Sequence, residues 1–416
     1  MVEPFDGSTA NQVRSLLSWL STLRSSWRKD KRRAEHSAKL ASARGVAEKQ
    51  AALKVVADRL RHSLGVSFAE FVIFGRHGAG QHPTVPEHPG GSPVSEIVAV
   101  DIGGTHARFA LATVGGGGVL ELGEACTLET GEHAGLQTAW QEFGARMGRP
   151  LPRAAAIAFA GPVHGEVLKL TNSPWIVRPA LIPEEIGAER FTIVNDFGAV
   201  AHAVARLDQR HFRPLCGPDR PLPQVGVISI IGPGTGLGVA QLIRQEDRYH
   251  VVETEGGHTD FAPLDALEDR ILACLRKDYG RVSVERITGG MGLANIHKAL
   301  SIIEERAIDP RDEKALWAAA LAGEDGLTAA ALKRYCLSLG AVVGDIALAQ
   351  GADAVVIAGG LGLRISGHLP QSGFSDRFTA KGRFKQRMRE MPVKLITYEQ
   401  PGLFGAAAAF AERYGA

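Results

Sequence analysis

Apolar positions along this chain follow two periods. From residue 97 onward, short apolar runs bounded by glycine, proline or polar residues predict strands. They cover 97–101, 107–113, 154–160, 191–195, 226–231, 236–243, 248–253, 353–358 and 393–398. Longer stretches with apolar residues three and four apart predict helices over 133–147, 197–206, 264–277, 283–288, 291–299, 312–322, 327–350 and 402–413. The order strand, glycine-rich turn, strand occurs twice, from Ile97 and from Val225. That duplication predicts two related α/β domains with a ligand cleft between them. The first 64 residues have a different texture. Leu16, Leu17, Leu20 and Leu23 share one helical face, the cluster Arg28-Lys29-Asp30-Lys31-Arg32-Arg33 follows, and a second helical run covers 34–64. Glycine, histidine and proline then break residues 75–96 into a linker. The expected organisation is an extension over 1–95, one domain over 96–205 completed by 398–416, and a second over 206–397.

Composition narrows the class. At 416 residues and 45% hydrophobic content, the chain can bury one large core or two to three smaller ones. A net charge of +2 gives no global pull toward nucleic acid, although residues 1–95 carry 14 Lys/Arg against 8 Asp/Glu. That segment reads as a helical appendage, an Arg- and Ser-rich targeting peptide, or a start assigned too early. A nucleic-acid module fits less well, because no helix-turn-helix pattern stands out. Cys126, Cys216, Cys274 and Cys336 lie far apart with no paired spacing, which argues against a zinc site or disulfide framework and for a reducing cytoplasm. No apolar run reaches the roughly 20 residues that span a bilayer, so no membrane partner is expected.

The chemistry gathers at the turns. Asp101-Ile102-Gly103-Gly104-Thr105 and Gly232-Pro233-Gly234-Thr235-Gly236-Leu237-Gly238 each follow an apolar run. Their glycines let main-chain N–H groups approach an anion, and each threonine adds a hydroxyl donor. Two such turns resemble jaws closing on a polyphosphate, which points to phosphoryl transfer. A carboxylate beside a phosphate cradle calls for a cation, so Asp101 is either a Mg²⁺ contact through water or an ordinary Asp-Gly turn. Asn195-Asp196 ends a strand before a helix, and the aspartate is either an N-cap or a catalytic base. In Glu255-Gly256-Gly257-His258 the glycines bend the chain so that Glu255 and His258 can face one ligand. Glu285 completes that set, or is a solvated helix residue. Asn172, beside Trp175, suits a sugar lip or an Asx turn with a packed tryptophan. Gly359-Gly360, after a buried strand, suits adenine lying on the backbone or a plain turn.

Read together, these residues resemble the bacterial ATP-dependent glucokinase family of the hexokinase–actin superfamily, over about 96–413. The motifs stand in family order: Asp101 to Thr105, Thr171-Asn172 with Trp175, Asn195-Asp196-Phe197, Gly232 to Gly238, Glu255 to His258, Glu285-Arg286, Gly359-Gly360 and Pro401-Gly402. The resemblance implies two actin-like, ribonuclease H-like α/β domains that close over glucose and MgATP, and a homodimer. It implies Asp196 as base for the glucose 6-hydroxyl, with Asn172, Asn195, Glu255, His258 and Glu285 on the sugar. Asp101, Gly103, Gly104, Thr105, Gly232, Gly234, Thr235 and Gly236 become phosphate-side residues, and Gly359 and Gly360 the adenosine loop. His106 stands where the family often has Asn, and Pro233 stiffens the second loop. The cysteine-rich zinc motif of a related group of sugar kinases and repressors is missing. Two other functions fit the same fold: a kinase for another hexose, and a sugar-sensing regulator whose basic N-terminal segment contacts DNA or a partner. An intact Asp196 and both phosphate turns favour the enzyme.

Overall fold

The computed structural model describes residues 94–170, 173–246, 248–308 and 310–415, which fall within one compact unit, Gly90–Ala416. The helical runs expected before residue 65, and the linker up to residue 93, lie outside the described residues. The linker ends sooner than expected, because the first strand, β1, spans Ser95–Ile102.

The first sheet contains β1, β2 (His106–Gly115), β3 (Gly118–Leu122), β4 (Cys126–Glu129), β5 (Ala154–Phe159) and β8 (Arg190–Asn195). Helix α1 (Leu136–Met147) and the short α2 (Ile182–Ile186) accompany it, with the ribbon β6 (Leu168–Lys169) and β7 (Ile176–Val177). Strand order is β3-β2-β1-β5-β8, with β4 also pairing β2. β1 and β2 form an antiparallel hairpin, whereas β5 and β8 run parallel to β1.

Helix α3 (Asp196–Arg206) leads into the second sheet, made of β9 (Phe212–Cys216), β10 (Gly226–Pro233), β11 (Leu237–Gln245), β12 (Arg248–Thr254), β13 (Ala354–Ile357) and β14 (Val393–Ile396). Its order, β12-β11-β10-β13-β14-β9, repeats the plan of the first sheet: three antiparallel strands, then two parallel to the third. β9 adds an antiparallel edge. The helices around it are α4 (Ala266–Tyr279), α5 (Glu285–Thr288), α6 (Gly292–Ile303), α7 (Glu313–Ala322), α8 (Gly326–Ala349), α9 (Gly359–Ile365), α10 (Phe374–Thr379) and α11 (Lys385–Arg389). The chain closes with α12 (Pro401–Tyr414), which packs back on the first sheet.

Both sheets are covered on both faces, as buried strands with long apolar runs require. In β1, Val98, Val100 and Ile102 face one core with Phe109, Phe143 and Trp175. Ile97 and Ala99 face the other, with Leu403, Ala406 and Phe410 of α12. Small residues dominate that second core (Ala99, Ala110, Ala154, Ala156, Ala158), so α12 lies close to the sheet. Helix α3 belongs to both halves. Ala199 packs with α12, while Val200, Ala201, Ala203 and Val204 pack with Ile228, Ile230, Ala240 and Leu242 of the second sheet.

Candidate functional site

The two expected phosphate turns join antiparallel strand pairs, β1 to β2 and β10 to β11. In the first, Gly103 N–H donates to the His106 carbonyl at 2.9 Å. Thr130 fastens the turn from outside: its hydroxyl donates to the Gly104 carbonyl at 2.8 Å and its amide to the Thr105 carbonyl at 2.9 Å. In the second, Gly234 N–H donates to the Gly236 carbonyl at 2.9 Å, and Gly290 N–H to the Thr235 carbonyl at 3.2 Å. Both threonines, Thr105 and Thr235, are exposed. Both turns edge one cavity of about 540 Å³, also walled by Asn195, Asp196, Phe197, Glu255, His258 and Glu285.

Sequence left open whether Asp196 caps the helix that follows it. Asn195 is the N-cap of α3, its side-chain oxygen accepting from the amides of Phe197 at 2.9 Å and Gly198 at 3.2 Å. Its amide nitrogen donates to the Gly161 carbonyl at 3.1 Å. Asp196 is the first helical residue; its carboxylate shares the Phe197 amide at 3.0 Å and lines the cavity. Burial pushes its carboxyl up to about 7, with Asp101 and then Glu255 adding repulsion against the pull of nearby amides. Asp101 pairs with Arg108 across the hairpin at 3.4 Å, and burial pushes its carboxyl up as well.

Strand β12 ends in the turn that carries Glu255 and His258. These side chains are 66% and 58% exposed and stand 4.0 Å apart, so they are open to a ligand. Glu285, at the start of α5, accepts the Leu237 amide at 3.1 Å and fills the space beside Gly236. It therefore braces the second phosphate turn while lining the cavity.

Asp101, Gly359 and Gly360 are not among the residues lining this cavity. Asp101 packs against Gly402 at the start of α12, where a Cβ would fall 2.7 Å from its carboxylate. Gly359, at φ +82°, opens α9, and a Cβ there would fall 2.7 Å from the Pro233 carbonyl, whereas Gly360 has free space where a Cβ would stand. Asn172 lies outside the described residues. Trp175 resolves toward packing: it is 1% exposed, and its indole N–H donates to the carbonyls of Thr130 and His133, both at 2.9 Å.

Several contributors escaped the sequence reading. Thr130 looks like a loop threonine until the fold brings it to the first turn. Phe197 wedges its ring against Gly232 and Gly238, where any side chain would collide with it, so those glycines serve packing besides any anion. Gly289-Gly290 seats the second turn and was a legible double-glycine signal. Glu253, an isolated carboxylate in a strand, carried no signal; it accepts the Asn195 amide at 2.7 Å.

Paired glycine hairpins edge one cavity, with Asp196 in its wall. Residues 98–413 match the family model described as Glucokinase. The glucokinase of Zymomonas mobilis is 63% identical over 319 residues, covering 77% of this chain and 98% of that protein. The crystal structure of a glucokinase from an Antarctic psychrotroph superposes with a TM-score of 0.67 at 31% identity, over 76% of this chain and 98% of the other. A ROK family glucokinase from Streptomyces griseus, in complex with glucose and AMPPNP, shares the fold at 20% identity and a TM-score of 0.51, over 76% of this chain and 99% of that one. With its family match running from the first hairpin to the last helix, this chain belongs to the glucokinase family.

Proposed function

We propose that the chain transfers the γ-phosphoryl group of ATP to the 6-hydroxyl of glucose, giving glucose 6-phosphate and ADP. The observation that carries this reading is Asp196, a carboxyl drawn up to about 7 in the wall of a cavity edged by two glycine hairpins. A base of that strength accepts the hydroxyl proton as the sugar oxygen attacks phosphorus, a role worth about 10²–10⁴-fold. The new oxygen–phosphorus bond forms as the bond from the γ-phosphorus to the bridging oxygen breaks, and ADP leaves with that electron pair.

Asn172, Asn195, Glu255, His258 and Glu285 are the proposed sugar ligands. A sugar lacking one hydroxyl would leave Glu255 or His258, which are open to a ligand, without a partner, and that is the proposed source of selectivity. Gly103, Gly104, Thr105, Gly232, Gly234, Thr235 and Gly236 face the phosphates, and Gly359-Gly360 the adenosine. The donor chemistry also fits Mg²⁺, since Asp101 and Asp196 are neighbouring half-buried carboxylates whose repulsion a divalent cation relieves. Asp101 would hold the ion through water, and the ion would neutralise charge on the transferring group. Lobes at 96–205 with 398–416, and at 206–397, are part of the proposal, each being built on one six-stranded sheet. So is a cytoplasmic homodimer, which light scattering and fractionation test; among the described residues no helix is long and apolar enough to cross a membrane.

A coupled assay tests the reading, with ATP or polyphosphate as donor and glucose, fructose, mannose or N-acetylglucosamine as acceptor. Strong preference for ATP and glucose is expected. Preference for another sugar would make the chain a kinase of that hexose. Glucose binding without any phosphorylation would make it a sugar sensor.

A further inference from the structure

We infer that Glu253 is a positioning residue for phosphoryl transfer, acting on Asp196 through the main chain of Asn195. The inference rests on the reading of Asp196 as the base. Strand β8 is the outer strand of the first sheet, so its outward amides have no neighbouring strand to bond. At Asn195 that need is met from the second sheet: Glu253, on the outer strand β12, accepts the amide through Oε1 at 2.7 Å. A carboxylate acceptor makes this one of the stronger hydrogen bonds to a main-chain donor.

The place of the bond gives it a role beyond packing. The Asn195 side chain holds its corner from within the first half of the fold, by capping α3 and by donating to Gly161. The Glu253 bond reaches the same corner from the other sheet. Two residues beyond Glu253 stands Glu255, and five beyond stands His258, both in the cavity wall. One strand end therefore carries the proposed sugar grip and also holds the corner bearing the base. This tie sets the distance from Asp196 to the hydroxyl it must deprotonate, and misplacement by about 1 Å costs on the order of 10²-fold in rate.

Gly198 shows that the approach is built in. A Cβ there would lie 2.5 Å from Glu253 Oε1 and 2.9 Å from its Cγ. Alanine is the better helix former, yet the position is bare on the side where the carboxylate arrives.

The test uses the full chain and three variants, Glu253→Ala, Glu253→Gln and Gly198→Ala, each first checked for an intact fold by circular dichroism. Glu253→Ala is expected to lower kcat about 10-fold or more while the KM for glucose moves less than about three-fold. Glu253→Gln keeps an oxygen acceptor and is expected to restore most of the turnover. Gly198→Ala leaves Glu253 intact but displaces it, and is expected to reproduce the alanine phenotype. Amide exchange of the segment containing Asn195 should quicken in Glu253→Ala and Gly198→Ala and remain near the parent rate in Glu253→Gln. Turnover of Glu253→Ala within about two-fold of the parent, or Glu253→Gln as impaired as Glu253→Ala, overturns the inference. Should the parent itself fail to phosphorylate glucose, the functional reading falls. The inference falls with it as a statement about transfer, and the exchange pattern alone then decides whether Glu253 holds the corner.

Discussion

Asp196 is where the needs of stability and of chemistry oppose each other most directly. Its carboxyl sits near 7, against 3.8 for an unstrained aspartate. Between those values the folded chain keeps a proton that the unfolded chain releases, so stability falls as pH rises through the window. The contribution is complete below about pH 4 and gone above about pH 7. Asp196→Asn carries no such proton and is expected to melt higher than the parent at about pH 8, with the gap closing toward about pH 4. Melting curves across that range test this; a gap independent of pH would refute the shift. The same variant is expected to keep glucose binding and lose about 10²-fold or more in turnover, measured by calorimetry and coupled assay. In the parent, kcat/KM is expected to climb with pH through about 7 as the base loses its proton, and a flat profile across that point would count against it. Asp101, Asp196 and Glu255 were legible as candidates because each stands where a strand runs into a glycine-bearing turn or a helix start, a signal that Glu285 and Glu253 lack. Which member of Asn195-Asp196 caps the helix was not legible, since both residue types cap well and only the fold shows where each side chain turns.

Elements with strong periodicity were read within a few residues of their bounds, as α8 and α12 show. The misses have physical reasons. β9 contains Pro214 and is stabilised by its pairing with β14 rather than by its own pattern. α9 begins at Gly359-Gly360, among the poorest helix formers, and exists because Leu361 and Ile365 are drawn into the core. Nor could spacing reveal the charged cluster that joins three helices. Asp265 caps α4 and pairs with Arg334 of α8 at 2.6 Å and with Arg377 of α10; Glu268, 1% exposed, lies 3.1 Å from Arg334. Burial pushes the Asp265 carboxyl up, but the Glu268 amide and both arginines hold it at about 2. Arg334→Ala leaves the buried Glu268 with Arg377 at 3.6 Å as its remaining arginine. A loss of roughly 3 kcal/mol is expected, read from urea unfolding; a change below about 0.5 kcal/mol would show the cluster to be a solvated surface pair.

For the whole molecule, the duplicated hairpin plan was visible in sequence because each copy announces itself with an apolar run and a glycine turn. The extension was not interpretable in that way, and the family match begins only at residue 98. A chain begun at Val94 is expected to keep the parent kcat, and loss of turnover on that truncation would show that the extension completes the catalytic unit. Phe197 also ties distant parts of the chain into one evolutionary unit. Its ring occupies the space that a side chain at residue 232 or 238 would need, although those positions lie far along the sequence. Drift in the hairpin is therefore barred while the aromatic ring remains, and a smaller residue at 197 would open a void between the sheets. The three positions are free to change only in concert, so this junction should vary among relatives as a linked set rather than site by site.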